Sequence, residues 1–99
     1  MKYVLGTEVE FDLNEIWEHI ALDSVNVADK WIGKLFDAFE LIGRNPQIGH
    51  KREDLTGFGV LFSPVGSFLV IYRRGKEAVE IVAVVRGARD IPSFLANRS

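Results

Sequence analysis

Three arginines, Arg73, Arg86 and Arg89, are the residues of this 99-residue chain best suited to chemistry. A guanidinium is always charged, and its fork of N–H donors fits phosphate or carboxylate oxygens. All three lie in the stretch FLVIYRRGKEAVEIVAVVRGARDIPSFL, from Phe68 to Leu95. Two β-branched runs there flank Gly75-Lys76, and a GARD corner leads into a last helix. An apolar hairpin ending in guanidiniums suggests a surface that grips a partner. Arg89 can alternatively pair with Asp90 at that corner, and Arg74 with Glu77 beside the turn.

Groups that would move protons are scarcer. Tyr72 has a phenol, but strand alternation turns it toward the core. His19 stands beside Glu18, and His50 beside Lys51 in a polar stretch. Two separated histidines without cysteine read as surface residues, not metal ligands. Asp12, Glu15 and Glu18 recur every three residues and read as the wet face of a helix. The sequence therefore assigns no catalytic residue, metal site or cofactor.

Composition narrows the classes. Ninety-nine residues make a single domain, 1–99, in which one partner interface would be a large share of the surface. The chain has no cysteine, which excludes disulfides and zinc-thiolate sites and fits a reducing cytoplasm. No apolar run is long enough for a membrane span, and MKYVLGTEVEFDL lacks the features of a signal peptide. The net charge of −2 hides an asymmetry. Met1 to Glu40 carries 3 Lys+Arg against 9 Asp+Glu, and Leu41 to Ser99 carries 9 against 5. A basic second half can steer an acidic partner, while a pI near 5.6 argues against a nonspecific nucleic-acid coater.

The elements that must position these residues follow from pattern. Lys2 to Leu5 reads as a first strand, and Thr7-x-x-Glu10 as a capping box. Leu13, Ile16, Trp17 and Ile20 give a first helix to about Asp23. Ser24 or Asn26 caps a second, with Ala28, Trp31, Ile32, Leu35, Phe39 and Ile42 on one side. Asn45-Pro46 ends it, and the short link makes the pair a helical hairpin. Pro46 to Gly59 is a polar connection. Val60 to Phe62, Phe68 to Arg73 and Ala78 to Val85 read as strands. Asp90 or Ser93 starts a final helix.

A two-residue turn at Gly75-Lys76 would set Arg74 opposite Glu77, Tyr72 opposite Val79, Val70 opposite Ile81 and Phe68 opposite Ala83. Phe68, Val70, Tyr72, Val79, Ile81, Ala83 and Val85 then share the face toward the helices. The other face carries Leu69, Ile71, Arg73, Glu80, Val82, Val84 and Arg86, apolar at its centre. Either a partner or the last helix covers it.

Taken in order, these pieces resemble the RelE/ParE superfamily of toxins from type II toxin–antitoxin modules, over nearly the whole chain. The resemblance rests on Asp12-Leu13-Asn14-Glu15-Ile16-Trp17, Ala28-Asp29-Lys30-Trp31, Asn45-Pro46-Gln47-Ile48-Gly49 and Pro64-Val65-Gly66. Its strongest parts are Leu69-Val70-Ile71-Tyr72-Arg73 and Val84-Val85-Arg86-Gly87-Ala88-Arg89-Asp90, which look like the ParE branch. It implies an α+β fold in the order β-α-α-β-β-β-α, with the N-terminal strand and helical hairpin packed on a mainly antiparallel sheet. It also implies an intracellular toxin, of the kind tied to plasmid stabilization, silenced by a cognate antitoxin. ParE-like toxins are associated with poisoning DNA gyrase by trapping its cleaved-DNA state, without chemistry of their own. RelE-like toxins are ribosome-dependent mRNA endonucleases.

Residues discriminate between the branches. Cleavage by 2′-OH attack needs a proton acceptor, a cation for the phosphate and an acid for the leaving oxygen. The central-strand arginine of RelE-like proteins falls on Leu69 here, and the tail DIPSFLANRS after Arg89 has no Tyr or His. The reading favours DNA gyrase over the ribosome as target. Two departures from the ParE pattern stand out. No arginine lies in Gly57 to Ser63, and Arg86 stands where His is usual. A degenerate copy that only binds antitoxin is a third reading. The target-contact candidates are Arg73, Arg86 and Arg89, and the antitoxin-contact candidates Leu69, Ile71, Val82 and Val84. Leu69→Glu or Val82→Glu is expected to weaken the toxin–antitoxin hetero-oligomer and leave the toxin folded.

Overall fold

The computed structural model describes residues 2–51, 59–86 and 91–96, the Pro92 side chain excepted. The element order is β1 (Lys2–Leu5), α1 (Val9–Ala21), α2 (Val25–Arg44), β2 (Leu61–Val65), β3 (Phe68–Arg74), β4 (Ala78–Arg86) and α3 (Ile91–Ala96). The four strands form one mixed sheet in the order β1-β4-β3-β2, with β1 parallel to β4 and the rest antiparallel. This is the expected order of elements, and α1 and α2 pack on each other and on the sheet.

Local chemistry explains most boundaries. Ser24 caps α2, its Oγ accepting from the Val27 N–H at 3.2 Å. Asn45 closes α2 ahead of Pro46. The capping box at Thr7 and Glu10 does not form. Glu8 takes the cap position of α1, without a side-chain cap bond. The Val9 N–H instead reaches back to the Gly6 carbonyl at 3.2 Å, while Gly6 itself donates to the Ile81 carbonyl at 2.8 Å. That tie to β4 fixes the chain before the helix and leaves the Thr7 side chain nothing to cap. Ser93 lies inside α3 and does not start it, and Asp90 is outside the described residues.

The hairpin register departs from expectation in two steps. The Gly75 N–H donates to the Ala78 carbonyl at 3.0 Å, so the turn centres on Lys76-Glu77. Arg74 then faces Val79, Arg73 faces Glu80 and Tyr72 faces Ile81. A two-residue slide keeps every side chain on its face. The second step does not. Ile71 pairs with Ala83, which leaves Val82 as an extra residue, a β-bulge. Beyond it Ala83 and Val85 swap to the far face and Val84 to the helix side.

Two cores result. The first joins Val9, Leu13, Ile16, Leu35, Phe39 and Ile42 of the helices to Phe68, Val70, Tyr72, Val79, Ile81 and Val84 of the sheet. The second, on the opposite face, joins Val60, Phe62, Ile71, Val82, Ala83 and Val85 to Ile91 and Leu95 of α3. Trp31, expected as a core residue, is half-buried and edge-on to Phe68 at 5.4 Å. Trp17 is also half-buried, its indole N–H donating to Asp29 Oδ1 at 2.8 Å.

The β2–β3 turn lies close against the Trp31 indole. Gly66 has φ of +61°, and a Cβ there would run into the Trp31 ring. Gly66→Ala is expected to lower stability by about 1–2 kcal/mol from backbone strain, and further if the ring cannot yield. A urea titration checks this, and an unchanged midpoint would contradict it.

Candidate functional site

The far face of the β3–β4 hairpin was the expected docking surface. The structure places Leu69, Ile71 and Val82 there, but α3 lies over it. Ile71 is fully buried, Val82 is 9% exposed, and Leu69 is half-buried at the margin with Phe94. The last helix, not an open partner site, covers this face. Val84 must be removed from the face altogether, because the bulge at Val82 turns it into the helix-side core.

The same bulge separates the arginines. Arg73 stays on the far face, and its Nε lies 3.1 Å from Glu80 Oε1 across the strand pair. Arg86 follows Val84 to the helix side. There it lines a cavity of about 200 Å³ with Asp12, Glu15, Ile16 and His19 of α1, and with Phe94 of α3. The expectation that Arg73 and Arg86 share one face is therefore corrected. Arg89 lies outside the described residues.

This cavity exists because β1 is short. β1 pairs with β4 only as far as Ile81, so the next inward-facing N–H groups on that edge of β4 have no strand to meet. Asp12, 6% exposed, supplies the acceptor: its Oδ2 takes the Val84 N–H at 3.1 Å. Asp12, Glu15 and His19 were legible as one helical face by their spacing, but as a solvated face. What brings them to Arg86 is the bulge and the end of β1, and neither leaves a sequence signal.

A second polar cluster holds the loop after α2. Tyr72, fully buried on the helix side, donates its hydroxyl to the Pro46 carbonyl at 2.7 Å and accepts the Gly49 N–H at 2.8 Å. Burial raises the phenol pKa above its ordinary 10.0, and the Gly49 N–H and the Arg74 charge oppose that only in part. Tyr72 is thus a structural staple, as its face foretold, its hydroxyl proton held by the Pro46 carbonyl. The His50 N–H and carbonyl both bond to Phe62, extending the sheet past β2.

Chemically the described residues offer binding groups. Among the described residues, Asp12 and Glu15 of α1 line the cavity beside Arg86, and Asp12 Oδ2 is already engaged by the Val84 N–H. Among the described residues no group of three His, Cys, Asp or Glu is placed to hold a metal ion. No described helix is long and apolar enough to cross a membrane.

The family profile for the ParE toxin of the type II toxin–antitoxin system, parDE, matches residues 3–91. Among solved structures, the chain is similar to one from the chromosomal ParDE TA system of P. aeruginosa. The TM-score is 0.74 at 18% identity, over 87% of this chain and 95% of that one. At that identity the likeness concerns the fold. No curated protein matches the sequence significantly.

Proposed function

The chain belongs to the ParE toxin family of type II toxin–antitoxin systems, and from that premise we propose that it binds and inhibits DNA gyrase, without catalysing a reaction, until its cognate antitoxin neutralises it. The observation that carries the non-catalytic reading is the setting of its cations. Arg73 is bridged to Glu80, and Arg86 shares its cavity with Asp12 and Glu15. Among the described residues each of these guanidiniums stands beside a carboxyl group, whereas phosphoryl chemistry on RNA calls for a net-positive pocket.

A second reading has one specific observation behind it. His19 and Glu15 line the cavity of Arg86, which joins a proton-transfer group to a cation, as an mRNA endonuclease would need. The carboxyl groups of Asp12 and Glu15 lining the same cavity place it second.

In the gyrase reading Arg73 and Arg86 are the target contacts, and they test different faces. Arginine is enriched among residues that dominate interfaces. At least one of Arg73→Ala and Arg86→Ala is expected to weaken gyrase inhibition about tenfold, roughly 1.4 kcal/mol, with folding and antitoxin binding retained. Full inhibition by both variants would remove the arginines as contacts. Induced expression tests the function itself. Filamentation and a DNA-damage response with intact mRNA support the proposal. Rapid cleavage of translated mRNA supports the endonuclease, and healthy growth with soluble protein supports a non-toxic copy.

A further inference from the structure

α3 packs on the far face, whereas among the described residues the outer edge of β1 has no strand beside it. Within a strand, N–H and C=O groups of alternate residues point to opposite sides. The Gly6 N–H bonds to the Ile81 carbonyl in β4, so the polar groups of Val4 turn inward the same way. Those of Tyr3 and Leu5 turn outward, and among the described residues no hydrogen bond meets them. An edge this short with a lysine on it is a common defence against stray pairing. Here, however, the edge adjoins a cavity of about 310 Å³ lined by Lys2, Tyr3, Glu40 and Arg44. Two cations and one carboxyl group leave that cavity net positive, beside a strand whose backbone is ready to pair.

We propose that an extended acidic segment of the antitoxin adds to the sheet as a fifth strand along β1, with one carboxylate side chain toward Arg44 on the helix side and a neighbouring one toward Lys2 on the opposite face. Strand addition draws affinity from main-chain bonds and specificity from pockets for alternate side chains, and β1 offers both. Strand alternation sets Lys2 with Val4 on the face away from α2, so the two cations select acidic residues at neighbouring positions of the added strand. The inference rests on the reading of this chain as an antitoxin-neutralised toxin.

The test uses the toxin and the antitoxin encoded with it, purified free and as the complex. Backbone amide exchange is measured for Tyr3, Val4 and Leu5. The Val4 amide, bonded to β4, is slow in both states and serves as the internal reference. The Tyr3 and Leu5 amides are expected to exchange fast in the free toxin and at least about tenfold more slowly in the complex. The double variant Lys2→Glu/Arg44→Glu is expected to bind at least about tenfold more weakly at low salt, with the difference shrinking as salt rises. A complex that forms with Tyr3 and Leu5 still exchanging fast would overturn strand addition and leave the toxin–antitoxin reading standing. Unchanged affinity of the double variant would overturn the carboxylate assignment. Failure of the two wild-type proteins to associate would sink the antitoxin reading and the strand with it.

Discussion

Val82→Glu will unfold much of this protein, although sequence patterning marks position 82 as a surface site for a partner. Val82 is the bulged residue of β4, 9% exposed, packed with Ile71, Ala83 and Val85 beneath Ile91 and Leu95 of α3. A carboxylate there has no described cation within its apolar surroundings. Burying it unpaired is expected to cost roughly 3–5 kcal/mol, against a total of about 5–15 kcal/mol for a domain of ordinary stability. The side chain can escape only if α3 lifts away, which exposes the second core. The expected result is a large drop in the urea midpoint, or a fluorescent-dye-binding, partly unfolded protein. Val82→Thr, close to isosteric, should fall between Val82→Glu and the native protein. A Val82→Glu protein as stable as the native one would mean that α3 does not seal this face.

Tyr72→Phe is expected to cost about 1–3 kcal/mol near neutral pH, because it strands the Gly49 N–H and the Pro46 carbonyl around a vacated hydroxyl. Its pH dependence separates this cause from lost packing. The folded state holds the phenol protonated above the ordinary value of 10.0, and the unfolded chain does not. Above about pH 10 the unfolded state therefore binds fewer protons, and native stability declines with rising pH. Phenylalanine does not titrate, so the gap between Tyr72→Phe and the native protein is expected to narrow above pH 10. Chemical denaturation at pH 7 and at several values above 10 measures it. A gap constant across that range would mean that burial does not hold the phenol neutral.

The order of elements was readable because each leaves a local mark. The Leu13-Ile16-Trp17-Ile20 spacing, the Ser24 cap and the Asn45-Pro46 stop all carry α1 and α2. Face assignments were readable only up to the bulge. Strand parity is exact, so one extra residue at Val82 moved Ala83, Val84, Val85 and Arg86 to the wrong side. No residue at that point announces a bulge, since Val82 sits in an unbroken β-branched run. The turn was misplaced for a related reason. Gly75 is the residue expected inside a tight turn, yet it pairs with Ala78 and leaves Lys76-Glu77 at the tip.

The candidate site suffered most from these shifts. Arg73 and Arg86 were singled out by chemistry but wrongly set side by side. Asp12 looked like one more solvated carboxylate by its spacing. Its burial depends on where β1 stops, which is a tertiary fact: with no strand beyond Ile81, α1 supplies the acceptor for Val84. Cover of the far face by α3 was equally undecided in sequence, because six residues with Ile91, Phe94 and Leu95 can dock or stay free.

This toxin is proposed to act by holding DNA gyrase and not by cutting RNA. The most direct measurement incubates the purified protein in two parallel reactions, one with gyrase, ATP and relaxed plasmid, the other with ribosomes translating a defined mRNA. The account predicts that supercoiling stops and gyrase-linked cleaved DNA accumulates, while the mRNA stays whole. Normal supercoiling beside cleaved mRNA would contradict it, and would make His19, Glu15 and Arg86 the groups to examine as an active site.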